Sequence, residues 1–111
     1  MISIKEVDQK EFDLCFELDS NTICLWTKKQ WKTELEKKGV KVVAILLEKK
    51  IIGIYVFHKI LDEAQLNYFS IKKEFRRRGY GSYLMKYLIN QCEKIKVKKL
   101  SLEIIIRSFG N

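Results

Sequence analysis

A basic turn with two glycines, at residues 76–82, lies between a strand-like run and the start of an amphipathic helix. Its spacing is Arg-x-x-Gly-x-Gly, with the glycines at positions 79 and 81. Glycine lets a backbone turn tightly and approach a ligand, while the N–H groups and positive dipole of a helix start attract an anion. The turn lacks the Gly-Lys-Ser/Thr ending of a P-loop and the Gly-x-Gly-x-x-Gly of a dinucleotide fold. It therefore predicts binding of phosphate groups in a ligand other than ATP or NAD, and the alternative is a solvated surface loop.

This turn and its flanking segments resemble the acetyl-CoA-binding segment of the GNAT N-acetyltransferases, where a strand, this loop and a helix hold the cofactor's pyrophosphate. Four further segments occur in the order and at the distances found in the ribosomal-protein-alanine N-acetyltransferase branch. They are Leu25-Trp26-Thr27, Ile52-Gly53-Ile54, Glu63-Ala64-Gln65-Leu66 and Leu102-Glu103-Ile104. The resemblance covers nearly the whole chain and implies one N-acetyltransferase domain over residues 1–111. It also implies acetyl-CoA as the cofactor and, as acceptor, the α-amine of a protein N-terminus, such as that of a small-subunit ribosomal protein.

The same resemblance implies which residues hold the cofactor. In the family, the strand before the loop and the strand after the helix splay apart, and the pantetheine arm bonds to exposed strand backbone. The matching strand positions are Phe69, Ser70 and Ile71, and the pyrophosphate-binding positions are Arg77, Arg78, Gly79, Tyr80, Gly81 and Ser82. The dense cluster of positive charge around the glycines, which includes Lys72, Lys73 and Arg76, would serve the pyrophosphate and the 3′-phosphate of coenzyme A.

Glu103 is the candidate catalytic residue. Acetyl transfer needs a neutral amine, and an α-amino group with a pKa of about 7.7 to 8.0 is already partly neutral at cellular pH, so a modest base suffices. By the resemblance, Glu103 takes the proton directly or through a water molecule. The alternative is a strand glutamate that alternates with Leu102 and Ile104 and points to solvent.

Trp26 is the candidate acceptor-binding residue, because the loop between the first two helices helps to shape the peptide groove in this branch. Core packing is an equal alternative for its ring. His58 is the only histidine, and no cluster of Cys, His or carboxylate residues has metal-ligand spacing, so a metal site is not expected.

The family continues past its fifth strand into a helix and two more strands, and that helix carries the tyrosine that protonates the leaving thiolate. No residue of this chain matches that tyrosine, so a truncated or degenerate acetyl-CoA-binding relative with little activity is the second hypothesis. The apolar run at residues 104–106 would then be an exposed strand edge, which predicts self-association as a homodimer or aggregate.

Composition limits the remaining choices. A chain of 111 residues with 47% hydrophobic and 12% aromatic residues can form one domain with one core. The net charge of +8 makes a basic nucleic-acid-binding module the third hypothesis, although much of that charge is diffuse lysine. No stretch approaches the roughly 20 apolar residues of a membrane span and no signal peptide is evident, so a cytoplasmic location is expected. The odd number of cysteines, at positions 15, 24 and 92, predicts reduced structural thiols.

The elements that would position these residues follow from hydrophobic periodicity. Capping boxes at residues 8–11 and 27–30 predict the starts of two helices, the first with Cys15 and Asp19 on one face and the second ending at Gly39. Residues 40–48 and 51–61 predict a hairpin joined at Lys49-Lys50, and a third long strand runs to Ile71.

After the loop, apolar residues recur at helical steps and predict a helix with one buried stripe: Leu84, Met85, Leu88, Cys92 and Ile95. A crossover would place residues 100–106 parallel to the strand that ends at Ile71. The predicted fold class is α/β (α+β), with a mixed, mainly antiparallel sheet flanked by helices and a β-α-β cofactor-binding crossover.

Overall fold

The computed structural model describes residues 1–102 of the chain. Glu103, the run at residues 104–106 and the C-terminal residues up to 111 lie outside the described part. In chain order the elements are β1 (Ile2–Val7), a 3₁₀ turn (Gln9–Glu11), α1 (Phe12–Ser20), α2 (Lys28–Glu36), β2 (Val40–Leu47), β3 (Lys50–Ile60), β4 (Glu63–Ile71), a second 3₁₀ turn (Lys73–Phe75), α3 (Tyr80–Lys94) and β5 (Lys99–Leu102).

The five strands form one sheet in the order β1-β2-β3-β4-β5. The first four are antiparallel neighbours joined as consecutive hairpins, and β5 runs parallel to β4 after the α3 crossover. The predicted mixed sheet with a β-α-β crossover is therefore confirmed.

The core has two layers, one on each face of the sheet. The first layer packs α3 against the strands through Leu84, Leu88 and Cys92. The second layer packs α1 and α2 against the opposite face, with Cys15 and Leu18 from α1 and Trp31 from α2. A sheet covered by helices on both faces excludes water from the central strands, so the residues of β3 and β4 are mostly buried.

A β-bulge in β4 changes which side chains face which layer. Val56 pairs with Tyr68 but Phe57 pairs with Leu66, so Asn67 is an extra residue without a register partner in β3. Leu66 faces the α3 layer, whereas Tyr68, two residues later, faces the α1–α2 layer. Beyond the bulge, Phe69 faces the α3 layer. The bulge thus reverses the alternation just before the strand positions that are predicted to hold the cofactor.

Both predicted capping boxes are present. The Lys10 N–H donates to Asp8 at 2.8 Å, and the Asp8 N–H donates to Glu11 at 3.1 Å. Thr27 and Gln30 make the same reciprocal pair at 2.8 and 3.1 Å. Each box satisfies two N–H groups that a helix start would otherwise leave without partners.

Two predicted boundaries are wrong. The second helix ends at Glu36 rather than at Gly39, whose φ of +87° instead turns the chain into β2. The β2–β3 hairpin turns at Glu48 and Lys49, one residue earlier than predicted, with φ of 49° and 69°. Two central residues with positive φ define a type I′ turn, which usually carries Asn-Gly. The residue types Glu and Lys do not predict such a turn.

We expect Lys49→Gly to raise the free energy of unfolding by about 0.5 to 1 kcal/mol. A non-glycine residue in the left-handed region costs roughly 1 to 2 kcal/mol, and the greater freedom of glycine in the unfolded chain offsets part of the gain. The matched control is Lys50→Gly, one residue later in extended β3, which should lower stability by about the same amount. Urea unfolding midpoints that move in the same direction for both variants would contradict this account.

The three cysteines are free, with Cys15 and Cys92 buried and Cys24 exposed. Burial, with Glu11 and Asp13 nearby, raises the pKa of the Cys15 thiol to about 12, so it stays protonated and packs as a small apolar residue. Within residues 1–102, no helix is long and apolar enough to cross a membrane, and no group of three or more His, Cys, Asp or Glu side chains is placed to hold a metal ion.

Candidate active site

The basic loop is anchored to the end of β4 by Arg76. Its Nε donates to the carbonyl oxygen of Ile71 at 2.9 Å, and its backbone N–H donates to the carbonyl of Lys73 at 3.3 Å. The first position of the Arg-x-x-Gly-x-Gly spacing therefore has a structural task, which is to hold the loop beside the strand positions predicted to bind the cofactor. A carbonyl at the end of a strand needs a hydrogen-bond donor, and the half-buried guanidinium of Arg76 supplies one.

The loop is further held by contacts among its own side chains. The Phe75 and Tyr80 rings meet edge to face with centroids 6.4 Å apart, and the Arg78 guanidinium lies over Phe75 at 5.9 Å from the ring centroid. Arg77 and Arg78 are exposed, so their positive charges face solvent at the mouth of the loop. An anion that approached this loop would meet two guanidinium groups before it reached the helix start.

The start of α3 has the geometry of an anion site. Gly79 is the N-cap with φ 85° and ψ −1°, and no side chain caps the helix. The Tyr83 N–H donates to the Gly79 carbonyl at 3.0 Å and is the first N–H of the helical ladder. The N–H groups of Tyr80, Gly81 and Ser82 precede that bond and therefore have no acceptor within the helix. Three backbone donors at the positive end of a 15-residue helix suit a pyrophosphate.

A glycine suits position 79 because of the backbone conformation there, and not because a side chain would lack room. A Cβ at this position would meet nothing within 4 Å, but the left-handed φ is one that residues with a Cβ rarely adopt. Gly81, by contrast, is buried in the first turn of α3. The exposed face of Gly79 leaves open space in front of the helix start, which is where a phosphate group would lie.

The predicted strand positions lie just beyond the described β4–β5 pairing. That register runs from Glu63 opposite Lys99 to Leu66 opposite Leu102, and residues 69–71 follow it toward the loop. Phe69 and Ile71 are buried in the α3 layer, so only their backbone can contribute to a ligand site. Ser70 is also fully buried, and its hydroxyl has no hydrogen-bond partner among the described residues.

Gly53 lies where β3 has no room for a side chain against this part of β4. A Cβ on Gly53 would come within 2.8 Å of the Ser70 carbonyl oxygen and would also clash with the side chain of Ile71. The Ile52-Gly53-Ile54 segment, singled out in the sequence only as a point of resemblance, thus sets the position of the predicted cofactor strand. A larger residue would push β4 outward.

Trp26 packs in the core through part of its ring and leaves the rest of its surface accessible. It is half-buried, and its ring contacts Trp31 and Tyr68 with centroids 4.7 and 5.6 Å away. Its remaining surface lines a cavity of about 330 Å³ beside α2, together with Glu34 and other α2 residues. The Glu34 carboxylate accepts from Asn67 at 3.2 Å, so this cavity adjoins the bulge in β4.

Sequence reasoning missed the most heavily hydrogen-bonded side chain near Trp26. Asp19 was predicted only as one member of the α1 face, yet it is fully buried and its carboxylate accepts four hydrogen bonds. The available signal was an acidic residue at a buried helical position. Tyr83 and Tyr87 are exposed on α3. Tyr80 does pack, against Phe75.

Glu103, the predicted base, lies outside the described residues, one position after the end of β5. The predicted site residues that are described therefore form two groups. The first is a cofactor group at the end of β4 and the start of α3, and the second is Trp26 on the opposite layer of the sheet. Tyr68 and Phe69 are adjacent in β4, and Tyr68 faces the layer that contains Trp26 whereas Phe69 faces the α3 layer.

Comparison with known proteins gives a consistent picture. A Bacillus subtilis protein with the provisional name ribosomal protein bS18-alanine N-acetyltransferase is 23% identical over 104 residues, which cover 92% of this chain and 69% of that protein. The crystal structure of the ribosomal-protein-S18-alanine N-acetyltransferase from Escherichia coli superposes with a TM-score of 0.85 at 20% identity, covering 92% of this chain and 66% of that one.

A second similar structure is the PaiA N-acetyltransferase from Thermoplasma acidophilum in complex with coenzyme A. It matches with a TM-score of 0.70 at 13% identity and covers 87% of this chain and 75% of that one. At these identities the two solved structures show a shared fold. The sequence model of the acetyltransferase (GNAT) family matches residues 5–107, nearly the whole length, and the chain therefore belongs to the GNAT family of acetyltransferases.

Proposed function

We propose that the protein is an acetyl-CoA-dependent N-acetyltransferase whose acceptor is the α-amine of a protein N-terminus. The observation that carries the proposal is the uncapped start of α3, with Gly79 in the left-handed conformation and three N–H groups without helical acceptors. Membership of the GNAT family supports the acetyl-transfer chemistry. The names of the Bacillus subtilis and Escherichia coli relatives support the choice of acceptor.

The described residues fit coenzyme A. The N–H groups of residues 80–82 and the Arg77 and Arg78 side chains would hold the pyrophosphate, and the backbone of residues 69–71 would hold the pantetheine arm. Bound acetyl-CoA would supply an activated acetyl thioester. Arg76 keeps the loop and the end of β4 at a fixed separation through its bond to the Ile71 carbonyl, so the two parts of the cofactor site are positioned together.

Glu103 is proposed as the general base that accepts the proton of the acceptor amine, directly or through a water molecule. Trp26 is proposed to form one wall of the acceptor groove. By analogy with the names of the relatives, the acceptor is the N-terminus of a small-subunit ribosomal protein, which would place the enzyme in the cytoplasm. Self-association through residues 104–106 stays a prediction about residues outside the described part.

We expect acetyl-CoA to stabilise the protein and to be consumed with an alanine-led peptide. At a ligand concentration about 100 times the dissociation constant, the gain in unfolding free energy is about 2.7 kcal/mol, because the folded state alone binds. Mass spectrometry should locate the acetyl group on the N-terminal α-amine. Both peptides carry one internal lysine, and the control differs only in that its N-terminus is blocked. The control peptide should stay unmodified.

The outcomes separate the alternatives. Stabilisation by acetyl-CoA without turnover would support a cofactor-binding relative with little activity instead. A melting curve that acetyl-CoA does not shift, together with steeply salt-dependent affinity for DNA or RNA, would support the basic nucleic-acid-binding module. Acetylation of the internal lysine in the blocked peptide would retain the acetyltransferase and reject the N-terminal acceptor.

A further inference from the structure

Asp19 is a buried carboxylate, and within residues 1–102 its hydrogen-bond donors are all neutral groups. Its side chain is fully buried at the end of α1. Oδ1 accepts from the Leu25 N–H and the Tyr68 hydroxyl, and Oδ2 accepts from the Trp26 N–H and the Trp31 Nε1–H, all at 2.9 Å. Burying a carboxylate is costly unless its oxygens are satisfied, and here each oxygen accepts two charge-assisted bonds.

The four donors come from three parts of the fold. Leu25 and Trp26 belong to the loop between α1 and α2, Trp31 belongs to α2, and Tyr68 belongs to β4. The backbone carbonyl of Asp19 also accepts from Thr22 and Cys24 at 3.0 and 2.7 Å, so the loop is wrapped around this one residue. Asp19 thereby fixes the distance of the loop from β4.

Tyr68 is the link to the cofactor strand. Burial, foremost, raises the pKa of Tyr68, so its hydroxyl stays protonated and remains a donor to Asp19. The Tyr68 ring also contacts Trp31 with centroids 4.9 Å apart, which closes a cluster of three aromatic rings around the carboxylate. Tyr68 directly precedes residues 69–71, so the chain that holds the loop also holds the cofactor positions.

We propose that Asp19 is a positioning residue for the acceptor: it fixes the Trp26 ring beside β4, so that the acceptor meets a preformed wall. This inference rests on the proposed function, because the acceptor it concerns is the amine that receives the acetyl group. A purely apolar core could pack α1 against the sheet, but it could not orient two successive backbone N–H groups of the loop. The loop and start of α3 lie on the other face of the sheet, so cofactor affinity should depend much less on Asp19.

The test compares Asp19→Asn with Asp13→Asn, an isosteric change at an exposed position on the same helix. The asparagine amide places N–H donors where one carboxylate oxygen accepted two bonds, so the loop loses one of its two anchors and the side chain also loses its bond to Tyr68 or Trp31. With an alanine-led hexapeptide, Asp19→Asn should raise the peptide KM at least tenfold while the Kd for acetyl-CoA changes less than twofold. Asp13→Asn should change neither.

A second readout needs no turnover. Trp31 is fully buried and Trp26 is half-buried, so acrylamide quenching of tryptophan fluorescence reports mainly on Trp26. Asp19→Asn should increase the quenching constant about twofold. If this variant does not fold, Tyr68→Phe, which removes one donor and keeps the ring, should raise the peptide KM about threefold with an unchanged Kd for acetyl-CoA.

The inference is overturned if the peptide KM and the acetyl-CoA Kd change by the same factor, because that result indicates a general structural role. Unchanged quenching in Asp19→Asn also overturns it, whatever the kinetics. Failure of the proposed function would look different, since the unmodified protein itself would then neither bind acetyl-CoA nor acetylate the peptide. In that case quenching alone decides whether Asp19 positions Trp26.

Discussion

Gly79→Glu is expected to abolish the stabilisation of the protein by acetyl-CoA. The substitution puts a negative charge and a bulky side chain into the open space before the N–H groups of residues 80–82, where the pyrophosphate would bind. The helix dipole would then attract the carboxylate of the protein itself instead of the ligand. The thermal shift at saturating acetyl-CoA, equivalent to about 2.7 kcal/mol at 100 times the dissociation constant, should fall to zero.

The substitution has a separate cost without ligand, because a non-glycine residue at the φ of 85° is strained by roughly 1 to 2 kcal/mol. The comparison must therefore use the shift on adding acetyl-CoA rather than the melting temperature itself. The control is Asn90→Glu, which adds the same charge to an exposed position about 16 Å further along α3. A normal acetyl-CoA shift in Gly79→Glu would mean that the cofactor does not bind at the start of this helix.

Glu103→Gln is expected to lower the turnover number by a factor of about 10² to 10⁴. Glutamine keeps the shape of the side chain but cannot accept the amine proton, and positioned general bases typically contribute rate factors of this size. The Kd for acetyl-CoA should stay unchanged, since the cofactor group at residues 69–71 and 77–82 is intact. Initial rates with an alanine-led peptide at saturating acetyl-CoA measure the effect.

Two further observations would test the assignment of Glu103. Glu93→Gln, at an exposed position of α3, makes the same change in net charge and should leave the rate as it is. Raising the pH should partly restore activity in Glu103→Gln, because a larger fraction of the amine is then already neutral. Turnover in Glu103→Gln equal to that of the unmodified protein would show that another group, or water alone, removes the proton.

The sequence predicted the features that depend on local patterns. The two capping boxes and the helical stripe of Leu84, Leu88 and Cys92 each result from interactions between near neighbours in the chain. The glycine loop was located because its residue types are unusual together. Strand order followed from short connections, which leave consecutive hairpins as the simplest topology.

The features that were missed depend on residues far apart in the sequence. The role of Asp19 depends on the irregular path of the α1–α2 loop and on Tyr68, 49 positions away, and neither follows from a local pattern. The turn at Glu48 and Lys49 has a conformation that its residue types do not favour, so the pairing of its strands must impose it.

The bulge at Asn67 absorbs one residue of β4 that has no counterpart in β3. Leu66 and Tyr68 are two positions apart, yet Leu66 faces the α3 layer and Tyr68 faces Asp19, because Asn67 lies outside the register. Deleting Asn67 would leave Leu66 opposite Phe57 and Tyr68 opposite Val56, so both side chains would keep their faces, and the strand would lose only the bulge and the Asn67 hydrogen bond to Glu34. Adding or removing a residue between Tyr68 and Ile71 has a larger effect, because no bulge absorbs the change there and the side chains beyond it turn to the opposite face. The strand therefore tolerates a change of length at the bulge, whereas the stretch from Tyr68 to Ile71 must keep its length for Phe69 and Ile71 to stay in the α3 layer.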